Sequence, residues 1–316
     1  MVAPLRRLRH EVLYLSLRAL FALGRPVPLR LLQALGVCVG SVACSLSRRE
    51  RLRATDGVGL AFPDLDPVGQ TRLVRACARH LGRTLGEVVW LWRASAEDVR
   101  SVSSLDGVQH LQDARADGRG AVLVTGHCGN WEMLNACLGA AGIPMTIAVR
   151  AVDDPRIDRM AETLRARHGS DVVPRGEHAG RRLIHGMGRN RVVGLLIDQD
   201  IRDVPGVFVP FFGRPAWTPS GAATLALRLH RPLVPAFIHR RPDGTHCGEI
   251  HAPLPQPESG SFEERVIELT AAATAVIERQ IRSHPEQWVW MHRRWKTRPQ
   301  TDGRVPDAPA TTDADG

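Results

Sequence analysis

The chain has 316 residues, 43% hydrophobic and 24% charged, so it is long and apolar enough to bury a core and is not a disordered polypeptide. Its net charge of +9 predicts an acidic partner: nucleic acid, an anionic membrane, or a phosphorylated or carrier-bound substrate. The six cysteines show no CxxC spacing and no zinc-type cluster with histidine along the sequence, so no structural metal is predicted.

Two apolar runs, residues 13–23 and 31–46, stand near the N-terminus with arginines before and after them. Neither reaches the roughly 18 to 20 uninterrupted apolar residues of a membrane-spanning helix, and no small-residue cleavage site follows a clean apolar core. We therefore predict that residues 1–50 form helices that associate with a membrane, with the arginines at anionic head groups. The alternative is a pair of buried helices packed against the rest of the protein.

Residues 51–299 alternate between strand and helix patterns, which predicts an α/β domain with a mostly parallel central sheet flanked by helices. The predicted strands cover 121–125, 145–149, 171–173, 192–198 and 233–239, with an extended segment at 208–212. The predicted helices cover 73–92, 132–141, 155–168, 179–187, 219–230 and 263–282. Residues 300–316 are rich in Pro, Asp, Thr and Ala and are predicted to be a disordered tail.

The segment TGHCGNWE, from Thr125 to Glu132, carries the predicted chemistry. His127 lies where a buried strand ends and a helix begins, a position at which α/β folds place reactive groups. On a continuous helix His127 and Glu132 would lie about 140° apart, so they meet only if the chain turns at the intervening glycines. Glu132 would then accept from one ring nitrogen and leave the other as a base for a hydroxyl. The alternative is a core histidine and a first-turn acid stabilised by the helix dipole.

This segment resembles the HxxxxD/E motif of the glycerolipid acyltransferase superfamily. Further segments resemble, in the same order, the late acyltransferases of lipid A biosynthesis, the lauroyl and myristoyl transferases. They are Val149-Arg150, Asp154-Pro155, Asp198-Gln199-Asp200, FVPFFG at 208–213 and PEQWVWMHRRWKTRP at 285–299. The resemblance covers about residues 5–299. It departs from the family at Val149, where an aromatic residue is frequent, and at Trp288 and Trp295, which replace Tyr and Phe.

The resemblance implies transfer of a fatty acyl group from an acyl carrier protein or CoA thioester to a hydroxyl of a lipid A precursor or similar anionic glycolipid. It implies work at the cytoplasmic face of the inner membrane, His127 as base with Glu132 as its partner, and no metal and no cofactor beyond the acyl thioester. The alternative acceptors are a phosphatidylinositol mannoside or a lysophospholipid.

Six further residues are predicted to bind substrate. Arg150, Arg165 and Arg175 lie at or near element ends, and arginine binds phosphate through a bidentate fork. Asp198, after an apolar strand, is predicted to orient an arginine or a sugar hydroxyl. If residues 292–298 are extended, Arg294 and Arg298 lie on one face and hold an anionic substrate at the mouth of the site. The alternative for each is solvated or structural charge.

Three other classes compete with this interpretation. A nucleic-acid-binding protein is suggested by charge alone, but the arginines are dispersed and no binding motif is present, so no nucleic acid partner is predicted. A hydrolase could use the same His127 and Glu132 pair with water as the acceptor, but the sequence lacks the GxSxG elbow that would supply a serine nucleophile. A non-catalytic protein that binds anionic lipid is disfavoured because both His127 and Glu132 are present.

Overall fold

The computed structural model describes residues 2–299, and the side chains of residues 7–299; the predicted tail at 300–316 lies outside the described residues. The helices are α1 (Val2–Gly24), α2 (Leu29–Leu46), α3 (Arg48–Ala61), α4 (Pro67–Leu91), α5 (Ala96–Ser101), α6 (Val108–Ala114), α7 (Trp131–Ala140), α8 (Pro155–Arg167), α9 (Ala179–Gly188), α10 (Gly221–Arg228) and α11 (Phe262–Ser283). The strands are β1 (Ser103–Asp106), β2 (Ala121–Thr125), β3 (Met145–Val149), β4 (Ser170–Pro174), β5 (Val192–Leu196), β6 (Gly206–Phe211), β7 (Arg214–Pro219), β8 (Leu233–Arg240) and β9 (His246–Ile250).

Seven of the strands form one sheet in the order β1-β9-β8-β2-β5-β3-β4. Neighbouring strands are parallel except β8 and β9, which form an antiparallel pair. Two apolar clusters, to which helices and strands both contribute, surround this sheet. The predicted α/β class with a mostly parallel sheet is therefore confirmed. Strands β6 and β7 form a separate hairpin.

The centre of the sheet places two loops side by side. Strand β2 lies between β5 and β8, and its last residue, Thr125, is in register with Leu196, the last residue of β5. Because the strands are parallel, the segments that follow them, 126–130 and 197–200, emerge at the same edge. His127 and Asp198 belong to these two segments.

Helix α2 packs along α4 with almost no side chain between the two backbones. A Cβ atom added to Gly36 would lie 2.1 Å from the backbone oxygen of Gly82, and one added to Gly82 would lie 2.0 Å from that of Gly36. Cβ atoms added to Gly40 and Gly86 would lie equally close to the facing backbone, at 2.1 and 2.2 Å. Only glycine permits this separation, as in the small-residue helix pairs of membrane proteins.

The opposite face of α2 is apolar and exposed. Its exposed side chains recur at helical spacing: Leu31, Leu35, Val39, Val42 and Leu46. Among the described helices α2 is the one whose length and composition are sufficient to cross a membrane, and 22% of it is buried inside the protein. An apolar helix is therefore present in the N-terminal segment, fixed on one side to α4 and uncovered on the other.

Replacing Gly82 with alanine is expected to destabilise the protein, because the new methyl group overlaps the backbone of α2 and forces the helices apart. Overpacking of this kind costs about 1–3 kcal/mol, which denaturant unfolding in detergent will measure. Gly180→Ala in α9 is the matched control, since a Cβ there has nothing within 4 Å. Equal loss of stability in both variants would contradict the proposed close packing of α2 on α4.

Candidate active site

His127 is held by the carboxylate of Asp198. Its ring Nδ1 lies 2.8 Å from Asp198 Oδ1, and its backbone N–H donates to Oδ2 at 2.8 Å. Because a carboxylate oxygen accepts hydrogen bonds, Nδ1 must be the nitrogen that carries the proton. In the neutral ring, Nε2 therefore carries a free lone pair. The ring is partly exposed and lines a cleft, whereas Asp198 is only 2% exposed. The arrangement is a histidine oriented from behind by a buried acid, as in enzymes that use histidine as a base.

Asp198 stays ionised because its neighbours outweigh its burial. Burial alone raises the pKa of this carboxyl, but the electrostatic interaction with His127 and hydrogen bonds from His127 and Trp288 lower it to about 2. The indole Nε1 of Trp288 donates to Oδ2 at 2.8 Å. A Cβ at Gly126 would lie 3.1 Å from the Asp198 carboxyl carbon, so glycine gives the carboxylate room to approach the loop.

Glu132 does not occupy the position predicted from the HxxxxE spacing. Its carboxylate binds the guanidinium of Arg165, with Nε 3.1 and 3.2 Å from the two carboxylate oxygens. The local cause is that α7 begins at Trp131, after the side chain of Asn130 caps it. Glu132 therefore projects from the first helical turn towards α8. The predicted pairing of Glu132 with His127 is replaced by a pairing of His127 with Asp198.

The turn that carries His127 is fixed from the opposite side by a close backbone contact. Gly129 has φ +63°, and a Cβ there would lie 1.8 Å from the backbone oxygen of Ile238. Its N–H donates to the carbonyl of Gln287 at 2.7 Å, and its carbonyl lies 3.1 Å from His80 Nε2. A larger residue would push the loop away from β8.

A second buried carboxylate, Glu87 of α4, supports the same turn. It accepts from Asn130 Nδ2 at 2.8 Å and from the guanidinium of Arg240 at 2.6 and 2.7 Å, while His246 Nε2 lies 3.1 Å away. Burial raises the pKa of Glu87, but hydrogen bonds from His246 and Arg240 hold it well below its usual range. Gln33 of α2 also donates to this carboxylate at 2.8 Å, so the network joins the N-terminal helices to the loop.

The cleft in front of His127 has a volume of about 950 Å³ and two chemically different parts. Its apolar part lies beside the strands and is formed by Leu123, Leu134, Leu138, Met145, Ile147 and Gly194. Its charged lining residues, which share the cleft with His127, are Glu132, Arg150, Arg165, Arg175, Arg202 and Lys296. The cleft can accept a long apolar group together with an anionic one.

Of the six predicted substrate-binding residues, three line this cleft and three do not. Arg150, Arg165 and Arg175 belong to its wall. Asp198 lies behind His127 and forms hydrogen bonds with it, and it does not line the cleft. Arg298 is exposed and does not line the cleft.

Arg294 is 1% exposed and belongs to the core. Its guanidinium donates to Trp217 O and to Thr218 Oγ1 and stacks 4.9 Å from the ring centre of Phe211. The prediction that Arg294 binds substrate is therefore wrong. The predicted extended geometry fails because residues 288–296 form successive turns, with the N–H groups of Trp290 and Arg294 donating two residues back.

Trp288 was not predicted to be a site residue, whereas His292 and Lys296 lie in the segment 292–298 that was predicted to hold an anionic substrate. His292 lines the cleft, and its Nε2 accepts from the backbone N–H of Asp200 at 2.8 Å. The dense resemblance over residues 285–299 located the right segment, but the side-chain directions in a series of turns do not follow from the sequence.

Comparison with known proteins identifies the family of the chain. The model of the bacterial lipid A biosynthesis acyltransferase family matches residues 4–297. The chain belongs to this family and is an O-acyltransferase.

Several characterised relatives are similar over most of the chain. A lipid A biosynthesis lauroyltransferase of Escherichia coli is 29% identical over 279 residues, covering 87% of this chain and 88% of the relative. A palmitoleoyltransferase of lipid A biosynthesis from the same organism is 25% identical, over 86% of this chain and 87% of its own. A phosphatidylinositol mannoside acyltransferase of Mycobacterium tuberculosis is 32% identical over 60% of this chain and 59% of its own length.

Asp198→Asn is expected to lower kcat by about 10²- to 10⁴-fold, the range that a positioned general base contributes, with little change in KM. The amide cannot stabilise a charged imidazole and disturbs its tautomer. Glu132→Gln, which leaves His127 and Asp198 in place, is the comparison. If Asp198→Asn keeps near-wild-type kcat while Glu132→Gln loses it, the pairing predicted from the HxxxxE spacing is the functional one.

Proposed function

We propose that this protein transfers a fatty acyl group from an acyl carrier protein or CoA thioester to a hydroxyl of a lipid A precursor or a similar anionic glycolipid. The observation that carries the proposal is the His127–Asp198 pair at a cleft that is lined by both apolar side chains and arginines. The apolar part suits the acyl chain, and the arginines suit phosphate groups of the acceptor or of a phosphopantetheine arm.

The geometry supports general-base catalysis. Nε2 of His127 takes the proton of the acceptor hydroxyl while the oxygen attacks the thioester carbonyl. The negative carboxylate of Asp198 stabilises the imidazolium that forms. When the tetrahedral intermediate collapses, the carbon–sulfur bond breaks and the imidazolium returns its proton to the leaving thiolate. The products are an ester and a free thiol, and His127 is regenerated as a neutral base.

Glu132 and Arg165 have a different task in this scheme. Their ion pair lies in the cleft wall with both side chains largely shielded from water. The carboxylate holds the guanidinium in one orientation, which presents its remaining N–H groups to an anionic substrate. Glu132 is thus a positioning residue for Arg165 rather than the partner of the base.

We propose that the protein lies at the cytoplasmic face of the inner membrane, and the helix packing favours lying on the membrane over crossing it. Helix α4 runs beside α2 and exposes Arg75, Arg79 and Arg83 along one side. If α2 crossed the bilayer, these arginines would enter the hydrocarbon region, at a cost of about 2.5–3.5 kcal/mol each near its centre. With α2 in the interface, its apolar face meets the acyl chains and the flanking arginines meet anionic head groups.

The proposal is tested by mass spectrometry of membrane lipids from cells that do or do not produce the protein. Wild type should add the mass of one acyl group to a glycolipid, and folded His127→Ala should add none. His185→Ala, an exposed histidine outside the cleft, is the matched control and should behave as wild type. Acylation by folded His127→Ala would contradict the mechanism, and no lipid change with wild type would favour a non-catalytic lipid-binding protein.

The same experiment distinguishes the acceptors. The mannoside acyltransferase has the higher sequence identity to this chain within its aligned region. The lipid A lauroyltransferase is aligned over a longer part of the chain. Acylation of a lipid A precursor supports the proposal; acylation of a phosphatidylinositol mannoside or a lysophospholipid supports the alternative with the same chemistry.

Gly194→Val is expected to shift the preferred donor towards a shorter acyl chain. A Cβ at Gly194 would lie 2.9 Å from Met145 Cε and 3.2 Å from Ile147 Cγ2, so added methyl groups fill the apolar part of the cleft. Competition between thioesters of different chain length measures the shift. Gly188→Ala, which has open space around it, should leave the preference unchanged. An unaltered preference in folded Gly194→Val would place the acyl chain elsewhere.

A further inference from the structure

Three side chains with metal-binding atoms meet on one face of the sheet, away from the cleft. His239 of β8 is directly opposite Cys247 of β9 in the antiparallel register, and Glu249 follows two residues later on the same face. The ring nitrogen, the thiol sulfur and a carboxylate oxygen of these residues all lie within 4.8 Å of one another. Cys247 is buried, and His239 and Glu249 are partly buried.

Two of these donors already have a separation that fits one ion. His239 Nδ1 lies 3.4 Å from Glu249 Oε1. Around a tetrahedral zinc ion with ordinary bond lengths, nitrogen and oxygen donors are about 3.4 Å apart. On the neighbouring strand, the exposed Asp106 of β1 is in register with Glu249, and its Oδ2 lies 3.5 Å from Cys247 Sγ, outside the group of three.

A bound ion would give a partner to the histidine nitrogen that faces this group. His239 Nδ1 is buried and makes no hydrogen bond with any of the described residues, since its geometry to Glu249 is unsuitable. Buried polar atoms without a partner are rare in folded proteins, and each one calls for an explanation such as a bound ion. The ring of His239 stacks on the ring of His284, with the ring centres 4.2 Å apart, and this contact holds the plane of the ring in place.

We propose that His239, Cys247 and Glu249 bind one divalent transition-metal ion, with Zn²⁺ the best match. Nitrogen and thiolate donors select zinc over magnesium and calcium, which prefer sites made of oxygen alone. On binding, the Cys247 thiol loses its proton to solvent and the sulfur forms a bond to the metal. The ion ties β8 and β9 together near the edge of the sheet and needs no part in acyl transfer.

Without a metal, the same residues form two weaker contacts. The Cys247 thiol donates to Asp106, and His239 forms an ion pair with Glu249 when it is protonated. The two arrangements differ in a measurable property, since only the metal-bound form contains a thiolate bonded to a cation.

Cobalt(II) is a spectroscopic substitute for zinc that distinguishes these arrangements. The full-length protein, stripped with a chelator, is titrated with Co²⁺ and followed by absorption. Wild type should give a thiolate-to-cobalt charge-transfer band that saturates at an equimolar amount and is removed by Zn²⁺. Cys247→Ser should lose the band, and His239→Gln should weaken binding by at least about tenfold.

Cys38→Ser, in which an exposed thiol on α2 is removed, is the matched control and should keep the band. No charge-transfer band in wild type, or a band that survives in Cys247→Ser, would overturn the proposal. The wild-type titration decides the question even if a variant fails to fold. Because the readout is metal binding, its outcome is independent of whether the protein transfers acyl groups.

Discussion

The carboxylate of Asp198 is the point at which three distant parts of the chain are joined. It binds a residue 71 positions before it and another 90 positions after it, and it does so out of contact with water. A buried carboxylate without donors is strongly unfavourable. The N–H groups of His127 and Trp288 supply these donors, and the same hydrogen bonds set the angle and tautomer of the imidazole. One electrostatic requirement thus produces both the closed structure and the reactive group.

Glu87 imposes a comparable requirement on the other side of the same loop. With Glu87 behind Asn130 and Asp198 behind His127, the short turn after β2 is held between two buried anions. Each anion is paired with cations or N–H donors from elements that are far away in sequence. The turn is consequently one of the most constrained segments of the protein, although it is a loop. Such rigidity suits a base that must keep one geometry through each reaction.

The sequence predicted the central strands well because long apolar runs bounded by glycine and proline identify them. Strands β2 and β3 have the bounds expected from Ala121–Thr125 and Met145–Val149. Strands β1 and β9 were missed because both are short and contain polar residues, and their pairing depends on distant partners. Such strands carry little periodic signal of their own.

The arrangement of the candidate site could be predicted in part. The structure places His127 and three of the predicted arginines in one cleft, and a motif and element ends mark these residues locally in the sequence. The partner of His127 was misassigned because Glu132 is near in sequence, whereas Asp198 becomes a neighbour only through the register of β2 and β5. Arg294 was misassigned because charge predicts exposure, while a planar guanidinium can also be buried against an aromatic ring and a carbonyl.

The glycine contact between α2 and α4 has a consequence for the choice of acceptor. Where Gly36 meets Gly82, backbone lies against backbone, and no side-chain rotamer can absorb a relative movement of the helices. If α2 lies on the membrane as proposed, the layer that faces lipid and the layer that carries Glu87 move as one body, and the height of His127 above the membrane surface is a fixed length. Only a hydroxyl group that its own headgroup holds at that height would then reach His127, so the distance by which an acceptor stands out of the bilayer would decide which acceptor is used.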